Sequence, residues 1–224
     1  VTWIDIQNPT EEDIQFLQKT YGLHPFILDE LIPPAWRTKV ETFPDYLFFV
    51  YYYPVYNKTN KHTRPRELDI IVGKNLLITN HYNSLVPLKK LFDQCNLYEE
   101  SKTKYMNETS GHLLFYLLKE LHENSLVKLD RINKKLHHIE EQIFMGNERQ
   151  MLKEISYLKA DIINFWRIVN PQEEILESLQ SQTVSFFGQE LHPYFTRLLG
   201  EWDQERNDLE TYKETIESLE QTNN

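Results

Sequence analysis

Two runs of apolar residues at helical spacing constrain this chain more than any other feature. Leu126, Leu129, Ile132, Leu136, Ile139 and Ile143 recur at steps of three and four. After Gly146-Asn147 the pattern resumes in Met151, Ile155, Leu158, Ile162, Phe165 and Val169. Such spacing gathers each set on one helix face, as in a coiled-coil seam. Gly146-Asn147 turns the chain, and long helices joined by so short a link pack antiparallel. Whatever else the chain builds must cover this helical hairpin.

Pro171 interrupts the second run, and a helical pattern resumes at Glu173 to Leu179. Ser181 to His192 reads as a break containing Gly188. Pro193, a favoured first-turn residue, then opens a last helix whose stripe is Leu198, Trp202, Leu209, Tyr212, Ile216 and Leu219. No Pro or Gly closes this run, and its last turns carry Glu214, Glu217 and Glu220. Acids have the wrong sign for a helix C-terminus, so the helix is expected to continue past Asn224. Eight acids against three bases between Pro193 and Asn224 leave a net −5, half the −10 of the whole chain.

The first 110 residues mix strand and helix signals. Trp3-Ile4-Asp5-Ile6 alternates as a strand does. Thr10 caps a helix with Asp13 in its first turn, Ile14, Phe16, Leu17 and Tyr21 as its apolar residues and Gly22 as its stop. A short second helix runs from Pro25 through Leu31 to Pro33-Pro34. Tyr46 to Val55 is apolar throughout, as in a strand covered on both faces, and Asn57 to Arg66 reads as a polar, mobile loop. Leu68–Val72 and Leu76–Thr79 flank Gly73-Lys74-Asn75, a hairpin signal, and Leu85 to Leu97 reads as a helix. The result is an α/β layer followed by a layer of long helices.

Several chemistries find no support in these residues. The six glycines form neither a dinucleotide nor a phosphate-binding loop, and there is no GxSxG or HExxH motif. His137-His138 and Glu140-Glu141 point in different directions on a helix and read as a solvated face. The single cysteine, Cys95, permits no internal disulfide and no thiolate zinc cluster. A net charge of −10 disfavours nucleic acid and permits divalent cations. No apolar run reaches the ~18 residues of a membrane span, and with Val1 opening directly into the first strand no signal peptide is expected.

One acidic pair stands out. Asp29-Glu30 follows His24-Pro25 on a short helix between prolines, a rigid corner for a hard cation that takes oxygen ligands and keeps most of its water. The same residues also suit a merely solvated acidic surface. Arg37 and Lys39 follow closely, either as ordinary ion-pair partners or as the groups that hold the corner in place.

In order along the chain, these segments resemble the cytoplasmic portion of the CorA family of magnesium transporters. The resemblance rests on Trp3-Ile4-Asp5-Ile6 with Asn8-Pro9-Thr10, Leu23-His24-Pro25 through Leu28-Asp29-Glu30, Lys39-Val40-Glu41 and Asp45-Tyr46-Leu47-Phe48. It continues in Asn75-Leu76-Leu77-Ile78-Thr79, the helix from Leu113 to Phe144, Leu158 to Pro171, Glu174-Ile175-Leu176 and Pro193-Tyr194-Phe195. It implies an α+β fold. An N-terminal α/β/α sandwich with a mixed sheet (1–110) would precede long antiparallel helices (111–192) and the start of a stalk helix (193–224). It also implies a homopentamer at the cell membrane, with this part on the cytoplasmic side. The stalk would lead into membrane helices and a Gly-Met-Asn pore signature, none of which this sequence contains.

The resemblance further implies regulatory Mg²⁺ bound between subunits, with Asp29 and Glu30 of one subunit facing stalk acids of the next. By ungapped count the usual stalk aspartate falls on Gly200, leaving Glu201 and Asp203 as neighbouring candidates, and another family acid falls on Lys119. Members carry Mg²⁺, Co²⁺, Ni²⁺ or Zn²⁺; an oxygen-rich, thiol-poor chain leans toward Mg²⁺. The expected function is therefore that of a cation-sensing domain rather than an enzyme. The rival from another class is a soluble coiled-coil interaction scaffold.

Overall fold

A computed structural model describes residues 1–35 and 39–223. Five strands form one mixed sheet in the order β1-β5-β4-β3-β2. They are β1 (Thr2–Gln7), β2 (Lys39–Thr42), β3 (Tyr46–Asn57), β4 (His62–Gly73) and β5 (Leu76–His81). β1 runs parallel to β5, with Trp3 opposite Leu77, and every other pairing is antiparallel.

One face of the sheet carries α1 (Glu11–Tyr21) and α2 (Pro25–Leu31). Leu17, Ile27 and Leu31 bury there against Phe48, Val50, Ile71 and Ile78. The start of α1 is fixed as its sequence suggests: the backbone N–H of Asp13 bonds to Thr10 Oγ1 while the Asp13 carboxylate accepts from the Thr10 N–H. Gly22 stops the helix in the left-handed region at φ 60°.

The opposite face buries Leu47, Phe49, Leu68, Ile70 and Val72 against the remaining helices. These are α3 (Val86–Leu97), α4 (Glu99–Met106), α5 (Ser110–Phe144), α6 (Glu148–Val169), α7 (Gln172–Phe187) and α8 (His192–Thr222). Sheet residues and all the long helices share one continuous core on this side. Side chains alternate between the faces of a strand, so a sheet covered on both sides needs the nearly unbroken apolar run seen in β3.

Four local expectations change. Asn57–Arg66 is mostly strand, because β4 starts at His62 and pairs with β3 out to Asn57. The polar residues there alternate with buried Thr63, so the hairpin pays its backbone hydrogen bonds despite its composition. The expected break after Ser181 is shorter, since α7 continues to Phe187 and only Gly188, at φ 103°, breaks it. Lys39–Thr42 is an edge strand and Glu99–Met106 a helix, neither of them evident in the apolar pattern.

The fourth change concerns the seam itself. Leu129, Ile132, Leu136 and Ile139 are buried, but Leu126 is 38% exposed and Ser125 takes the inward position. The inward face of α5 steps Leu118, His122, Ser125, Leu129, Ile132, Leu136 and Ile139, alternating four and three. Two polar residues thus occupy core positions, and their partners lie on α8.

Candidate cation-binding site

Asp29 and Glu30 sit in the last turn of α2, beneath the exit to Pro33-Pro34. Asp29 is exposed and has no hydrogen bond or ion pair among the described residues. Glu30 is half-buried and paired with Lys39 Nζ, which also lies 2.6 Å from Glu41 Oε1. Burial alone would lower the Lys39 pKa; its bonds to Glu30 and Glu41 outweigh that and raise it above the ordinary lysine value. Lys39 therefore pairs with Glu30 and Glu41, which fits both sequence expectations. Arg37, the other residue expected to do so, lies outside the described residues.

Behind this corner the sheet buries two more acids. Glu67 accepts from the Ala35 N–H at 2.7 Å and the Tyr52 hydroxyl at 3.0 Å. Asp69, 1% exposed, accepts from Asn80 Nδ2 at 2.8 Å. Burial, and then the neighbouring Glu67, push the Asp69 carboxyl well above the usual carboxylate range. Burial, Asp69 and Glu67 together raise the Tyr82 hydroxyl to about 12.

The stalk candidates lie on α8. Glu201 bonds to Arg197 Nε at 2.9 Å and Asp203 to Arg206 Nη2 at 3.1 Å, each within the same helix. Gly200 is exposed, and a Cβ added there would meet nothing within 4 Å. Lys119, at the place of the other family acid, lies 3.6 Å from Glu123. Farther along, Glu210 and Glu214 have no basic partner among the described residues, whereas Lys159 lies 2.6 Å from Glu220 and also feels the charge of Glu217.

One chain does not bring the two acidic pairs together. α2 packs with α1 on one sheet face, while α8 packs on α5, α6 and α7 on the other side. No group of three or more His, Cys, Asp or Glu side chains suited to a metal ion occurs among the described residues. A cation held by Asp29-Glu30 and by α8 therefore requires a second copy of the chain.

α8 itself is locked by a polar clamp that sequence reading missed. Glu205, 1% exposed, accepts from Ser125 Oγ and lies 3.0 Å from His122 Nδ1, both on α5. Trp202, one turn earlier, donates its indole N–H to the Val169 carbonyl of α6 at 2.9 Å. A signal was available: Glu205 falls on the stripe Leu198, Trp202, Glu205, Leu209, so a carboxylate had to be buried with partners. Burial first, and Glu205 second, push the Tyr51 and Tyr53 hydroxyls above their ordinary range.

Next to the clamp, Lys128 donates to the Tyr53 hydroxyl at 2.7 Å and the Pro54 carbonyl at 2.5 Å, with no carboxylate bonded to it among the described residues. Burial, then the nearby Arg131, lower its pKa to about 8.

A mixed sheet, a helical hairpin and a long acidic helix pinned across that hairpin define an α+β module that displays one charged helix from a rigid base. The family model described as "CorA-like Mg2+ transporter protein" matches residues 1–224, and the chain belongs to that family. It is 24% identical over 224 residues to the cobalt/magnesium transport protein CorA of Thermotoga maritima, covering 97% of this chain and 62% of the relative. It is 22% identical to the Methanocaldococcus jannaschii protein of the same name, over 97% of this chain and 67% of that relative. The fold matches the soluble domain of CorA from M. jannaschii with a TM-score of 0.83 at 21% identity, covering 97% of this chain and 85% of that one. The chain thus spans about three fifths of the length of the T. maritima relative. No helix among the described residues is long and apolar enough to cross a membrane.

Proposed function

We propose that this chain is the cytosolic sensing part of a CorA-like divalent-cation transporter at the cell membrane. The three segments 1–110, 111–192 and 193–224 act as sheet domain, helical brace and stalk. The stalk leads into membrane helices, and the full protein assembles as a homopentamer. The transported ion is Mg²⁺ or Co²⁺, the two in the printed names of the relatives. The observation that carries this reading is the family match over every residue, joined to a fold that presents an acidic helix.

In the mechanism, Mg²⁺ bridges Asp29 and Glu30 of one subunit to Glu201 and Asp203 of the next. With the ion bound, the ring is held closed. When Mg²⁺ falls, the acids repel and the subunits separate. The ion needs only unequal affinity for the two states to drive the change.

The ion pairs set the sensitivity. Asp29, which has no partner among the described residues, binds first, while Glu30, Glu201 and Asp203 must each release a basic group. Exposed pairs of the Arg197–Glu201 kind contribute ~0–1 kcal/mol, so each displacement weakens binding by up to about five-fold. Carboxylates that must shed a partner make a weak, millimolar sensor. The test is the melting temperature of wild type and Lys39→Met against Mg²⁺ concentration. Freeing Glu30 shifts the Mg²⁺ response to lower concentration; identical responses, or none in either protein, contradict the mechanism.

A further inference from the structure

We propose that a cleft between the start of β4 and the end of α6 binds a small organic anion, a carboxylate or phosphate on an apolar body. The cleft has a volume of about 420 Å³ and lies away from the acids of α2 and α8. Arg64 on β4 and Arg167 on α6 both line it, and no Asp or Glu does. In a chain of net charge −10, two arginines share a cavity without a carboxylate.

Neither guanidinium has a carboxylate partner among the described residues. Arg167 is exposed and has no hydrogen bond or ion pair among the described residues. Among the described residues Arg64 donates only its Nε–H, to His62 Nε2 at 3.2 Å. The His62 Nδ1 lies 2.8 Å from the Asn60 carbonyl, which requires the proton on Nδ1 and leaves Nε2 as the acceptor. His62 thereby orients Arg64 without consuming its terminal fork. That fork matches the paired oxygens of a carboxylate or phosphate.

The walls are built rather than incidental. Thr63 donates its backbone N–H and its hydroxyl to Asp161 Oδ1 at 2.6 and 2.7 Å, tying the β4 wall to α6. Arg131 holds the other Asp161 oxygen at 3.0 Å, so the tie is neutralised and buried. Asn164, Arg167 and Ile168 share one face of α6 by their spacing, placing an amide, a cation and an apolar surface side by side. Ile168 and Pro171, with Tyr52 across the cleft, supply the apolar lining. This mixture of an apolar wall and a few convergent donors is that of a small-molecule site, and is larger than a bare inorganic ion needs.

The experiment measures dissociation constants of phenyl phosphate, benzoate and inorganic phosphate by ligand-observed NMR on the full chain at fixed salt. Phenyl phosphate or benzoate is expected to bind about ten-fold more tightly than inorganic phosphate, because its ring is buried. Arg64→Gln and Arg167→Gln should each weaken that binding about ten-fold. Both residues are exposed, so the variants keep the wild-type melting temperature. Lys58→Gln, outside this cleft, should bind as wild type does. Inorganic phosphate binding as tightly as phenyl phosphate overturns the proposal. So does binding unaffected by either arginine change, or weakened equally by Lys58→Gln.

Discussion

Replacing Glu205 by Ala is expected to be among the most damaging single changes in α8, and its cost follows from the clamp. Glu205 is 1% exposed and carries both the Ser125 hydroxyl and His122 Nδ1, the latter 6% exposed. Alanine leaves two buried polar groups without an acceptor, at ~1–3 kcal/mol each, and opens a cavity between α5 and α8. Breaking a buried pair by removing one partner costs ~3–5 kcal/mol as a whole. In a chain of this size that lowers Tm by roughly 6–20 °C. Removing the pair together is different. Glu205→Met with His122→Leu restores apolar contact, and Ser125 can turn its hydroxyl to the carbonyl four residues back. That double variant should lie within about 1 kcal/mol of wild type, because desolvating the two buried polar groups offsets most of their attraction. Urea melts of the wild type, Glu205→Met, His122→Leu and the double variant form a cycle that reads the coupling directly. The reasoning is refuted if Glu205→Ala costs less than about 1 kcal/mol, or if the double variant is as unstable as the single.

Three further changes have expected outcomes. Gly200→Ala should stabilise by up to about 1 kcal/mol in a thermal melt, since a Cβ there meets nothing within 4 Å; Gly200→Asp should be tolerated and should make the melt more sensitive to Mg²⁺. Gly111→Ala should destabilise by roughly 1–3 kcal/mol, because its Cβ would fall 2.4 Å from Leu191 Cδ1 and 2.8 Å from Phe187 Cδ2. Lys128 should produce a pH signature. Its folded pKa of about 8 lies below the ordinary lysine value of 10.5, so the unfolded chain holds the extra proton between these pH values. Folding is penalised fully below pH 8 and relieved as pH rises toward 10.5. The stability difference between wild type and Lys128→Met, measured by urea melts at pH 7 and pH 10, should therefore move in favour of wild type by about 1–2 kcal/mol at the higher pH.

Where local rules act alone, the fold was legible in the sequence. The Thr10–Asp13 capping box, the left-handed Gly22 stop and the helical hairpin across Gly146-Asn147 all follow from short-range chemistry. The misses share one cause, which is tertiary context. An apolar residue was preferred at position 126, yet Ser125 faces inward because Glu205 on α8 supplies its acceptor. Residues 57–66 look like a loop until Asp161 is seen to accept from Thr63 across the sheet–helix boundary. β2 is an edge strand held by pairing with β3, a partner that its own four residues do not reveal. At the candidate site, the sequence named the acids and, for Asp29-Glu30, basic neighbours among alternatives, but not which pairs form. Lys39 was one of two readings, and the i,i+4 pair Arg197–Glu201 was available from spacing alone. The placement of α2 and α8 on opposite sides of the sheet could come only from the structure.

Sedimentation velocity of the chain with and without 10 mM Mg²⁺ tests the central claim most directly, since the two acidic pairs can meet only between copies. Wild type should shift to larger, Mg²⁺-dependent species, and Asp29→Asn with Glu30→Gln should abolish the shift while leaving the monomer's melting temperature within a few degrees. Association that ignores Mg²⁺, or that survives loss of both acids, would contradict a sensor that works by bridging subunits.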